Sequence, residues 1–194
     1  MKLEGKVAIV TGSSQGIGSG IALKFAEEGA DVVVNYLKND EKAETVADKI
    51  RNSGRQALVV RADASKSTDV NGLVQKTLDT FGNIDILVNN AGIFIGGEIA
   101  QLKEDIWDRV MAVNLKGVFL CCQAVGKYMI TSKVRGSIIN IASISGRLLE
   151  LKDLGSDSGT YHNGDRVERA VLGHADRLTV GSVTFEVRFA ETDL

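Results

Sequence analysis

The chain has 194 residues, 44% of them hydrophobic and 25% charged, with a formal net charge of -2. That balance describes a soluble globular protein of one or two domains. It offers no long basic cluster for nucleic acid and no run of about 18 apolar residues for a membrane, which argues against both kinds of partner. The segment Met1-Lys2-Leu3-Glu4 lacks the apolar core of a signal peptide. Two adjacent cysteines, Cys121 and Cys122, cannot staple a disulfide framework. Buried thiols in a reducing cytoplasm suit them best, and no metal set surrounds them in the sequence. Proline is absent, where average usage of about 5% would supply roughly ten.

The apolar run Val7 to Val10 predicts a first strand, and Thr11-Gly12-Ser13-Ser14-Gln15-Gly16-Ile17-Gly18 follows it and opens a helix. Strand, glycine turn and helix start, in that order, let backbone N–H groups and a helix N-terminus grip a pyrophosphate. Gly12 makes the tight turn, Gly16 lets the backbone approach a ligand, and Gly18 lets the helix pack on the strand. A purely structural turn would use the same glycines. Ile17, Ile21, Phe25 and Ala26 form the helix's apolar face, which Gly29 stops. Asp31 to Tyr36 predicts a second strand. The next helix turns Ala43, Val46, Ala47 and Ile50 inward and ends at Gly54, before a third strand from Ala57 to Ala62. Val70, Leu73, Val74, Leu78 and Phe81 mark another helix, stopped by Gly82, and Ile84 to Val88 a fourth strand. A long helical region, about residues 103–131, precedes a fifth strand from Ser137 to Ala142. Strands this continuously apolar are buried on both faces. The predicted fold class is therefore α/β, a doubly wound parallel (Rossmann-type) sheet truncated after the fifth strand.

After Gly146 the period changes. Short alternating runs appear at 148–151, 177–180 and 183–187, separated by turn signals at Gly159, Asn163-Gly164 and Gly181-Ser182. This pattern predicts a small antiparallel β-meander. The charge balance, nearly even before, also turns acidic. The expected organisation is a dinucleotide-binding domain over residues 1–147 and a β-rich segment over 148–194.

Residues 1–146 resemble a short-chain dehydrogenase/reductase. The resemblance rests on the TGSSQGIG turn, Asp63 after the third strand, Asn89-Asn90-Ala91-Gly92 after the fourth, Asn114 within the long helix, and Ile141-Ala142-Ser143-Ile144-Ser145-Gly146. It implies an NAD(P)-dependent oxidoreductase that moves hydride between a nicotinamide and a small carbonyl or alcohol. Cofactor contacts are then expected from Gly12, Ser14, Gln15, Gly16, Ile17, Gly18, Asn35, Tyr36, Asp63, Asn90, Ala91 and Gly92. In that reading Asp63 accepts hydrogen bonds from the adenine amino group; as a plain alternative it caps its loop. Asn89 to Gly92 hold the sheet rim open above the adenine ribose, or form a structural turn, and the two roles coexist. Asn114 bends its helix and anchors a water on the proton relay, or faces solvent. Ser143 polarises the substrate carbonyl, or is an ordinary strand-end serine. The second strand ends in Asn35-Tyr36-Leu37-Lys38 with no acid until Asp40. Lys38 can offset a 2′-phosphate, which favours NADP over NAD, or it is a solvated surface charge. The resemblance leaves a homo-oligomer through the long helices open.

The resemblance breaks at the proton donor. The family uses a tyrosine with a lysine four residues later, which lowers the phenol's pKa. None of Tyr36, Tyr128 and Tyr161 has lysine at that spacing, so neither role is carried onto this chain. Residues 148–190, with Asp153 to Val167 and then Gly173 to Gly181, instead resemble the C-terminal half of a forkhead-associated domain, a phosphothreonine-binding β-sandwich. The half carrying that module's phosphate-gripping arginine and serine is missing, and Ser158 stands where asparagine is usual. His162 and His174 read as turn or surface residues. The alternatives to an impaired oxidoreductase are a non-enzymatic chimeric or truncated protein and a phosphopeptide-binding β module. Half a sandwich would also leave a sheet face and its edges uncovered.

Overall fold

In the computed structural model, β1 (Val7–Val10), β2 (Asp31–Tyr36), β3 (Ala57–Arg61), β4 (Ile86–Asn89) and β5 (Ser137–Ile144) form a parallel sheet in the order β3-β2-β1-β4-β5. The structure describes residues 1–95, 100–144, 148–153, 159–172, 176–180 and 183–186. Helices α1 (Gly16–Glu27), α2 (Asp40–Asn52), α3 (Ser67–Phe81), α4 (Glu104–Met111) and α5 (Gly117–Thr131) make the crossovers, with a π-helical turn, Ala112–Lys116, between the last two. Gly29 and Gly82, at φ of 102 and 73 degrees, end α1 and α3 in a conformation glycine reaches without strain.

Strand residues alternate between two cores. Val10, Val32, Val34 and Val88 face Ala22, Phe25, Val46 and Ile50 of α1 and α2. Ile9, Val33 and Leu87 face Val70, Leu73, Leu120, Val125 and Met129 of α3 and α5. Each such side chain contributes about 1.5–3 kcal/mol by leaving water, so two full faces outweigh any single turn or cap. The run Glu104–Thr131 is long and apolar enough to cross a membrane by length and composition. Here it forms a layer, with Leu120, Cys121, Val125 and Met129 turned to the sheet and Trp107, Leu115, Phe119 and Ile130 exposed.

The C-terminal segment forms the small antiparallel sheet and also lengthens the parallel one. Strand β6 (Leu148–Asp153) pairs antiparallel with β5, and β9 (Arg169–Leu172) pairs antiparallel with β6, extending the main sheet to seven strands. Strands β7 (Thr160–His162), β8 (Asp165–Arg166), β10 (Arg177–Val180) and β11 (Val183–Glu186) form a second sheet in the order β11-β10-β7-β8. Asn163 and Gly164, at φ of 52 and 101 degrees, turn β7 into β8, as their dipeptide predicts. Leu178 is buried in the same cluster as Phe25, Val88 and Ile139, and Val167, Ala170 and Val180 pack against it. Half a sandwich was expected to leave one sheet face bare; the face of the second sheet that carries Leu178 is covered instead by this cluster. The turn at Gly181-Ser182, Ser158 and His174 lie outside the described residues.

Candidate functional site

The carboxyl ends of β1, β2 and β4 converge on the glycine turn, and side chains beneath fix its shape. The Thr11 hydroxyl, buried, donates to the Val88 carbonyl and accepts the N–H groups of Asn90 and Ala91 at 3.0 Å each. The Asn90 amide donates back to the carbonyls of Thr11 and Gly12, at 2.9 and 3.2 Å. Ser13 donates from its hydroxyl to the Val10 carbonyl and accepts the Asn35 N–H. The turn is therefore bolted to two neighbouring strands before any ligand arrives.

Two of the three glycines are there for space. A Cβ on Gly12 would stand 2.9 Å from Ala91 Cα, and one on Gly18 would stand 2.7 Å from the Gly12 carbonyl oxygen. Gly16 differs. Its φ of 60 degrees needs glycine, yet a Cβ there would meet nothing within 4 Å. Gln15 takes the N-cap of α1 with no side-chain cap bond, and no acid occupies the first turn. Those first-turn N–H groups, at the positive end of the helix dipole, are a ready anion site. The cradle fits a pyrophosphate: rigid below, open above Gly16, and positive at its helix end. Ser14 is half-buried and Ile17 exposed at its mouth.

The structure separates the other expected contacts into those on the rim and those under it. Asn35 is under it. Its Oδ1 accepts the Gly12 N–H at 3.1 Å, and its amide donates to the Val60 and Ala62 carbonyls at 3.2 and 3.0 Å. Asn35 thereby supports the turn. Tyr36, at the strand end, gives its hydroxyl to Asp40, a bond that raises the phenol's pKa. Asp63 accepts the Ser65 N–H and hydroxyl on Oδ1, at 3.0 and 2.7 Å, so the loop-capping role is present. Its own N–H donates to Asp69, holding that carboxyl below the ordinary range. Asn89 is buried beneath Asn90, donating to Asn140 Oδ1 and Cys122 Sγ, while its Oδ1 finds no partner among the described residues. Ala91 and Gly92 continue the rim beside Gly12.

Asn114 sits in the middle of the π-helical turn. Its Oδ1 accepts the Ile93 N–H and its amide donates to the Ile93 carbonyl, both at 2.8 Å. An asparagine inside a helix thus marks a local widening that clasps the loop after β4. Ser143 lies near the end of β5, its backbone opposite Leu149 of β6, and its hydroxyl falls outside the described residues. The lane beside β5 is taken by β6, in register from Ile139↔Asp153 to Ile144↔Leu148.

No tyrosine takes up the missing donor's arrangement. Tyr128 donates to Asn83 Oδ1 at 2.9 Å, at the opposite end of β4 from the rim. Tyr161 pairs with Thr179 in the second sheet. His162 ends β7 in the same sheet, half-buried and 2.8 Å from Asp176 Oδ2, in a network with Asn163 of the following turn. No three metal-binding side chains cluster among the described residues.

The family model for short chain dehydrogenases matches residues 6–151. This chain belongs to that family. A model for the FHA domain matches residues 138–181, so the two overlap on β5 and part of β6. The chain is 43% identical over 143 residues to the 3-oxoacyl-[acyl-carrier-protein] reductase FabG of Staphylococcus epidermidis, covering 74% of this chain and 58% of that one. It is 46% identical over 143 residues to the (2S)-[(R)-hydroxy(phenyl)methyl]succinyl-CoA dehydrogenase subunit BbsD of Thauera aromatica, covering 74% and 57%. A short-chain dehydrogenase from Burkholderia cenocepacia solved in complex with NADP superposes with a TM-score of 0.68 at 38% identity, covering 72% of this chain and 56% of that one. The chain therefore spans less than two thirds of the length of these relatives.

Proposed function

We propose that this chain binds NADP(H) on its glycine turn, as an NAD(P)-dependent oxidoreductase of the short-chain type whose proton-transfer half is incomplete. One observation carries the reading: a turn bolted to β2 and β4 through Thr11, Asn35 and Asn90, beneath an uncapped helix N-terminus that opens over Gly16. The family and the relative solved with NADP support a nicotinamide cofactor. When bound, that cofactor supplies the hydride. The chain's own groups would do the rest. Gly12, Ser14, Gln15, Gly16, Ile17 and Gly18 hold the pyrophosphate, and Asp63 accepts the adenine amino group on its second oxygen. Tyr36, Asn90, Ala91 and Gly92 border the ribose, with Asn35 fixing the turn from below. Asn114 keeps Ile93 steady through its two bonds. Ser143 donates to the oxygen of a small carbonyl substrate.

The impairment follows from the missing pair. With no tyrosine followed by lysine at the fourth place, the pair that the family uses to pass a proton is absent, a loss of roughly 10²–10⁴ in rate. Two further features belong to the same reading: free Cys121 and Cys122 suit a reducing cytoplasm, and the exposed apolar face of α4 and α5 suits self-association. The domain boundary near residue 147 remains part of this proposal, with β6 acting as a graft onto β5. The test is NADPH fluorescence titration beside an assay of NADPH oxidation with ketone substrates. Saturable binding with turnover at least a hundredfold below a complete relative is expected. Absence of saturation contradicts the binding reading, and relative-like turnover contradicts the impairment.

A further inference from the structure

We propose that Cys122, on α5, is an oxidation site where a peroxide converts the thiol to a sulfenic acid, which the Asn89 amide then holds. The inference does not depend on the dinucleotide reading. Asn89 ends β4, is 2% exposed, and stands opposite Asn140 of β5. Its amide nitrogen donates to Asn140 Oδ1 at 2.8 Å and to Cys122 Sγ at 3.2 Å. The Cys122 thiol, half-buried, in turn donates to Asn140 Oδ1 at 3.7 Å. Asn89 Oδ1 shares one planar amide with the nitrogen that meets the sulfur, and it is buried with no partner among the described residues. A buried acceptor left unmet is costly, so this oxygen favours a group that brings it an O–H.

A thiol has one weak S–H, and here it is directed at Asn140. A sulfenic acid adds an oxygen that accepts from the Asn89 nitrogen and an O–H that donates to Asn89 Oδ1. The Cys122 thiolate attacks one peroxide oxygen, and an S–O bond forms as the O–O bond breaks. The departing hydroxide takes up the proton that the thiol released and leaves as water. Sulfur loses two electrons and the peroxide gains them. Burial pushes the Cys122 thiol up, with the Asn89 N–H pulling against it. Thiolate is therefore scarce near neutral pH, and oxidation quickens as pH rises. Cys121 offers no such site. Successive helical residues point about 100 degrees apart. That turns Cys121 into the core that holds Val125 and Met129, while Cys122 meets Asn89. The chain has no third cysteine to resolve the sulfenic acid as a disulfide.

The test exposes the native full chain to hydrogen peroxide, removes the oxidant with catalase, and adds dimedone at intervals, with adducts placed by peptide mass. The adduct is expected on Cys122, with Cys121 unlabelled until unfolding, and it should form faster at about pH 9 than at about pH 7. Asn89→Leu removes both the donor and the unmet acceptor. It should shorten the lifetime of the sulfenic acid about tenfold, the size of the lost hydrogen bonds. Circular dichroism checks that the variant is folded. The parent unfolded in urea after oxidation supplies the same comparison without a substitution, and its sulfenic acid should be the shorter-lived. No adduct on Cys122, equal adducts on both native cysteines, or a Cys121–Cys122 disulfide overturns the oxidation site. A lifetime unchanged in folded Asn89→Leu, or on unfolding the parent, overturns the role of Asn89.

Discussion

Glycines at 12, 16 and 18 look alike in the sequence and differ in what they do. Gly18→Ala would drive a methyl into the Gly12 carbonyl oxygen at 2.7 Å, an overpacking cost of about 1–3 kcal/mol. A lowered thermal midpoint is the expected result. Gly16→Ala meets nothing and bears only the left-handed backbone penalty, about 1–2 kcal/mol. Its larger effect should fall on NADPH affinity, because the methyl occupies the space above the turn. A titration showing equal affinity for Gly16→Ala and the parent would contradict that placement. Burial pushes the Cys121 thiol up to about 12. Native protein near pH 8 should therefore resist iodoacetamide at Cys121, and labelling should appear only on unfolding, as read by peptide mass. The glycine turn and the Asp63 loop were legible as local patterns, Asp63 bonding Ser65 two residues on, whereas the Asn90 bonds to Thr11 and Gly12 cross the sheet. Asn35 was legible as an expected cofactor contact, but its support of the turn, like the Lys42 bond to Gln15, was not. Asn35 works through the Gly12, Val60 and Ala62 backbones, and Lys42 through Gln15, partners that only the fold brings near.

Helices and strands were legible from period and stops, since two-sided burial leaves an apolar run of strand length. The long helical region was read as continuous, yet the chain inserts a π-helical turn at Asn114 and closes it on Ile93. Asn114→Leu removes both bonds and should cost about 1–2 kcal/mol, read by urea unfolding, with a matching loss of NADPH affinity. Parent-like stability in that variant would show that the clasp contributes nothing. Strand β5 was expected to be the last of its sheet, whereas β6 covers it antiparallel. Periodicity cannot say which strand an alternating run will join, because every edge offers the same backbone groups. Hydrogen exchange should find the amides of Ile139 to Ile144 protected like those of β1. Rapid exchange there would mean that β6 leaves that edge open.

At the scale of the whole molecule, two unlike patterns share one core. Leu178 and Val180 of the second sheet reach the apolar cluster formed by β1, β4 and α1, so the C-terminal strands stand over a face that would otherwise meet water. Unfolding should accordingly be a single cooperative transition by both fluorescence and circular dichroism. The central claim is that the dinucleotide lies on the N-terminal parallel sheet. It is tested most directly by recording the ¹H–¹⁵N spectrum of the full chain with and without NADP⁺. Shifts should concentrate on the amides of Gly12 to Gly18, Asp63 and Asn90 to Ile93, leaving Thr160 to Arg166 and Arg177 to Val180 in place. Shifts confined to the second sheet, or none at saturating cofactor, would contradict it.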